Sequence, residues 1–163
     1  MAKLKPILFN TAMVQKIMAG EKTETRRVVL PQPEGARFVL DCDEENRTFD
    51  LMCGNNGVGG IFRGWAATVK PKFWFGDVLY IRETWRVQSA HRFEADAKIE
   101  FRAGGPLGKI QFPGGCSDSE SREAFDQFIA KWSTDPKWNP SIFMPKEAAR
   151  TFLKIVDVSV ERL

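Results

Sequence analysis

Within Gly20-Glu-Lys-Thr-Glu-Thr-Arg-Arg27, one lysine, two threonines and two arginines fall in six consecutive residues. Ammonium and guanidinium groups beside hydroxyls are the donors that hold a phosphate or polarise a carbonyl. An extended backbone would turn Lys22, Glu24 and Arg26 to one side and Thr23, Thr25 and Arg27 to the other. The same composition also suits a solvated edge strand whose cations discourage pairing, and residue chemistry alone favours that plainer alternative. A second cluster closes the run Lys70-Pro-Lys-Phe-Trp-Phe-Gly-Asp-Val-Leu-Tyr-Ile-Arg-Glu-Thr-Trp85. Glu83 ends an apolar stretch, where a charge needs a partner, and Arg82 or Lys22 could serve it. A glutamate beside a lysine is an acid–base couple or, equally, a structural ion pair. Lys70 and Lys72 are placed to meet phosphates. Trp85 offers a ring for stacking on a base, although most tryptophans belong to cores.

Other chemistries find little support. The three cysteines, Cys42, Cys53 and Cys116, lack CxxC spacing, and His91 is the single histidine. No four-ligand zinc set follows, so neither a metal nor a cofactor is expected. The glycine-rich tract ending Gly108-Lys109 has Ala103 where a phosphate loop begins with glycine and Ile110 where it needs Ser or Thr.

The elements that must carry these residues read as follows. Lys5–Asn10 is a short strand. Asn10 and Thr11 offer a cap for a helix whose Met13, Val14, Ile17 and Met18 share one face, and Gly20 stops it. Lys22–Val29 alternates as an extended segment until Pro31. Phe38–Leu40 and Thr48–Met52 are strands, Gly54–Gly60 a turn, and Val78–Glu83 a strand after the Gly76-Asp77 turn. Residues 86–118 are irregular and rich in glycine, a loop insertion. Ser119–Trp132 is the clearest helix, capped by Ser119 or Ser121, with Phe125, Phe128, Ile129 and Trp132 on one face. Thr151–Leu163 alternates as a long final strand. The order predicts a single α+β domain over residues 1–163, a small mixed barrel with helices packed against its ends.

The 163 residues suit about one domain. A hydrophobic share of 43% and a charged share of 28% exclude both a disordered chain and a membrane protein. No secretory signal is expected, because no apolar core follows Lys3 and Lys5, and the expected location is the cytoplasm. A net charge of +3 is compatible with nucleic acid without requiring it. The charge is uneven: Lys3, Lys5, Lys16, Lys22, Arg26 and Arg27 face only Glu21 and Glu24 in the first thirty residues.

Three blocks together carry a family resemblance. Ile7-Leu-Phe-Asn10, Ile17-Met-Ala-Gly-Glu-Lys-Thr-Glu-Thr-Arg-Arg27 and Gly76-Asp-Val-Leu-Tyr-Ile-Arg-Glu-Thr-Trp85 resemble the ASCH domains of the PUA-like superfamily. With Trp138-Asn-Pro-Ser-Ile-Phe-Met-Pro-Lys-Glu-Ala-Ala-Arg150, the chain is similar to the ASCH proteins encoded by phages and prophages. The resemblance implies a mixed PUA-like barrel, a cleft between barrel and helix, and RNA, other nucleic acid or a modified nucleoside as partner. The candidate contacts in such a cleft are Asn10, Thr23, Arg26 and Arg27, then Lys70, Lys72, Arg82 and Trp85. One branch of the family hydrolyses N4-acetylcytidine. Its lysine and threonine match Lys22 and Thr25, which would activate and position the attacking group. That branch's glutamate has no match here; Glu83 stands as a candidate on chemistry alone. Ribonuclease activity and a phage or host protein partner are further readings of the same resemblance.

Overall fold

The computed structural model describes residues 4–29, 36–54, 63–132 and 137–161. These form a mixed α+β structure of nine strands, in three three-stranded sheets, and two α-helices. They group into two compact units: one from Thr25–Asp77 and the stretch beginning at Lys154, the other from Leu4–Glu24 and Val78–Leu153. No helix among the described residues is long and apolar enough to cross a membrane.

The first unit is an antiparallel meander of β2 (Ala36–Asp43), β3 (Thr48–Gly54) and β4 (Arg63–Val69), in that spatial order. The β2–β3 turn is set by Asp43, whose carboxylate accepts from the backbone N–H of Asn46 at 2.8 Å and from its side-chain amide at 2.7 Å. Those bonds favour the charged form and hold the Asp43 carboxyl below its usual range. Arg47 completes the turn at φ 58°, a conformation costly for a residue with a Cβ. Its guanidinium reaches the buried Asp77 at 3.0 Å, and the second Asp77 oxygen accepts from the Trp74 N–H at 3.0 Å. The Gly76-Asp77 turn is thus a polar anchor inside an apolar setting. Phe49, Leu51, Val69 and Trp74 form this unit's core, with Val29, Val158 and Val160 packed on it.

In the second unit, β1 (Leu4–Leu8) pairs in parallel with β5 (Val78–Arg82), and β9 (Phe152–Lys154) flanks β5 on its other edge. Between β1 and the basic block lies α1 (Thr11–Met18). Asn10 caps it as expected, its side chain accepting from the Met13 N–H at 2.8 Å. A second meander consists of β6 (Trp85–His91), β7 (Asp96–Phe101) and β8 (Gly108–Gln111). It overturns the expected loop insertion over 86–118. Gly104 and Gly105 sit between β7 and β8 at φ 80° and 85°. α2 (Ser119–Trp132) is the helix expected there and packs on this meander, but Asp118 rather than a serine caps it, accepting from the Ser121 N–H at 2.8 Å. Trp85, Ile99, Phe101, Ile110, Met144 and Ala148 are buried together beneath Phe128, Ile129 and Trp132.

Two extended segments fail to form strands. Residues 21–29 follow no regular structure, and among the described residues of the expected final strand Phe152–Lys154 alone forms a strand. The expected turn at Gly54–Gly60 lies, beyond Gly54, outside the described residues.

Candidate functional site

The parallel pairing of β1 and β5 delivers chemistry to the carboxyl ends of both strands, the usual place for ligand sites on parallel strands. The Phe9 N–H donates to the Arg82 carbonyl at 3.3 Å, so Asn10 and the Arg82-Glu83 pair leave from the same end of the sheet. Arg82 is half-buried. Its Nη1 donates to the Ile142 carbonyl at 3.1 Å, and its guanidinium lies 5.7 Å from the Tyr80 ring centroid. Its Nε is buried and unpartnered, and Arg82 makes no ion pair among the described residues.

Glu83 is fully buried, and neither Arg82 nor Lys22 is its partner. Arg150 holds it in a two-pronged pair, Nε to Oε1 at 2.9 Å and Nη2 to Oε2 at 2.8 Å. The fork of the guanidinium matches the carboxylate's two oxygens, which a lysine could not do. With both oxygens taken and no exposed surface, Glu83 acts on a substrate only if Arg150 releases it. The requirement for a partner was legible from the apolar run, but Arg150, 67 residues away, was not.

Lys22 is half-buried, its Nζ donating to the Glu24 carbonyl at 2.6 Å and its own N–H to the Lys16 carbonyl at 3.2 Å. Thr23 is exposed. Trp85 has no exposed face: its ring packs 5.3 Å from Trp132 and 6.2 Å from Phe128, so it serves as core and not as a stacking surface. The remaining candidates, Thr25, Arg26, Arg27, Lys70 and Lys72, belong to the first unit and are all exposed. Arg26 stands 3.8 Å from Glu161.

Nucleophile and metal chemistry fare as follows. The Cys42 thiol is pushed up by desolvation and then by Glu44, Asp41 and Asp43, which disfavours the thiolate a nucleophile needs. Among the described residues no three His, Cys, Asp or Glu side chains cluster so as to hold a metal ion. What the second unit offers is a half-buried, uncompensated guanidinium beside a neutralised carboxylate, an arrangement that accepts an anion. No family model matches the chain, and no curated protein or solved structure matches it either.

Proposed function

We propose that the protein is a binding module for RNA, or for another nucleic acid or modified nucleoside, of the ASCH, PUA-like kind. The observation that carries the reading is Arg82. A half-buried guanidinium that makes no ion pair among the described residues is stabilised by a phosphate or carbonyl oxygen arriving at its accessible N–H groups. Adjacent Glu83 does not compete for that role, because Arg150 neutralises it. The first unit, taken by itself, carries Arg27, Lys70 and Lys72 as exposed cations of the kind that meet a phosphate backbone. Closure of the sheets into a small mixed barrel, action in the cytoplasm and an origin in a phage or prophage belong to the same proposal. The hydrolytic alternative, an amidohydrolase or ribonuclease using Lys22 and Thr25, is weaker, since the one carboxylate in reach of the idea is sequestered.

Titration of a short single-stranded RNA against the wild type and Arg82→Gln tests the reading. Wild-type affinity is expected to fall as salt rises. Arg82→Gln should weaken binding by about tenfold and reduce the salt slope by about one. Equal affinity of the two proteins, or binding indifferent to salt, would sink it.

A further inference from the structure

Arg150 joins three stretches that are distant in sequence. Besides its pair with Glu83 at the end of β5, its Nη1 donates to the Pro106 carbonyl at 2.8 Å, in the turn between β7 and β8. Its Nη2 lies 3.8 Å from the thioether sulfur of Met18, the last residue of α1. The plane of the guanidinium rests 4.1 Å from the Phe101 ring centroid. Its side chain is only 10% exposed, so the group is committed to protein and has little surface to offer a ligand.

The contact with α1 is close. A Cβ at Gly105 would sit 2.6 Å from the Met18 methyl and 3.0 Å from Arg150 Nη1, so a larger residue there would oblige the ends of those two side chains to shift. Its φ of 85° is one that favours glycine. One turn earlier, Gln15 Nε2 donates to the Ala103 carbonyl at 3.4 Å and ties the helix to the same stretch. From the fastened end of α1 the chain runs directly into the basic block. The Glu21 and Lys22 N–H groups both donate to the Lys16 carbonyl, at 2.9 and 3.2 Å.

We propose that Arg150 is a positioning residue: through Met18 and the Gly104–Leu107 turn it fixes the end of α1, and with it the segment that presents Lys22. Its consequence for ligand affinity rests on the binding function proposed above. A rigid fork holding a carboxylate, a carbonyl and a thioether at once leaves the helix end one arrangement. A lysine keeps the charge but serves a single acceptor at a time.

The test uses the full chain, with Arg150→Lys and, since loss of a buried pair can unfold a protein, Gly105→Ala as a second variant that removes neither partner of the Glu83 pair. Amide hydrogen exchange reads the positioning without any ligand. The Glu21 and Lys22 amides are expected to exchange at least about tenfold faster in both variants, while those of Ile99 and Ile110 keep their wild-type rates. A general loss of stability would speed all four together. Affinity for a short single-stranded RNA, measured well below each variant's melting temperature, should fall by about tenfold. Wild-type exchange at Glu21 and Lys22 in both variants overturns the proposal, as does a uniform acceleration. Faster local exchange in a protein that binds no RNA at any salt keeps the positioning role and removes the binding function instead.

Discussion

Asp96 is covered from two sides on the otherwise polar face of the second meander. Lys109 Nζ lies 2.7 Å from one carboxylate oxygen and His91 Nδ1 3.1 Å from the other, and the residue is 2% exposed. The Lys109 hydrogen bond chiefly, with His91 adding, outweighs the cost of burial and holds the Asp96 carboxyl below its usual range. The reverse effect, led by the bond to Asp96, raises Lys109. The signs set a window. A lowered folded-state carboxyl contributes stability above its unfolded value, about 3.9, and loses it as pH falls through the folded one. A raised lysine contributes fully below its unfolded value, about 10.4, and loses that as pH rises through the folded one. Urea midpoints measured across pH should therefore decline at both extremes, and Asp96→Asn should flatten both limbs; unchanged limbs would refute the pairing. Nothing in the sequence marks this cluster. Lys109 stood out only as the end of a failed phosphate-loop pattern, and it meets Asp96 because the β7–β8 register sets Lys98 against Lys109 and Asp96 against Gln111, diagonal neighbours on one face. Arg150 escaped notice for the same reason: pairing of ordinary residue types is decided by register and long-range packing, which spacing does not encode.

Elements with local signals were legible, and those whose turns lack such signals were not. Asn10 followed by an apolar face at helical spacing marks α1, and the bond from Met13 N–H to its side chain is the physical content of that signal. Because Asn10 is also a candidate ligand contact, two variants separate its roles. Asn10→Ala should cost about 1 kcal/mol in a urea melt, whereas Asn10→Ser keeps an oxygen for the cap and should cost little. RNA affinity that drops equally in both variants would assign the side chain to the ligand; a drop confined to Asn10→Ala would assign it to the helix. The β6–β7 hairpin shows the opposite case. Its turn, Arg92–Ala95, contains no Gly, Asn, Asp or Pro, and the left-handed position is taken by the buried Ala95 at φ 48°. A sequence rule that looks for glycine there sees an irregular stretch. The end of the chain misled differently. Alternation in Thr151–Leu163 suggested a long strand, but Val158 and Val160 pack on the first unit's core without one, because burial of alternate residues does not require a strand partner.

The apolar clusters within the two units, each taken by itself, bear on how the molecule unfolds. Phe49, Leu51, Val69 and Trp74 pack in one unit, while Trp85, Ile99, Phe101, Ile110 and Met144 pack in the other. Among the described residues the chain crosses between the units at 24/25, 77/78 and 153/154, points that neither chain length nor the order of elements marks. Connection by chain does not by itself make stability common: protection of each amide follows the contacts its own region must break to open. Leu51 is 3% exposed and its strand lies between β2 and β4, so Leu51→Ala removes packing inside the first unit's core. Truncation of a buried leucine costs about 2–5 kcal/mol. Native-state hydrogen exchange should therefore show the Phe49 and Leu51 amides losing protection by about that amount, with the Ile99 and Ile110 amides changing by less than about 1 kcal/mol. An equal loss at all four would mean that the units open together and that the second core, which supports Arg82 and Arg150, depends on the first. A loss confined to β3 would mean that the candidate anion site keeps its geometry while the first unit opens, and that variants in β2–β4 leave the Arg82 contribution to RNA binding intact.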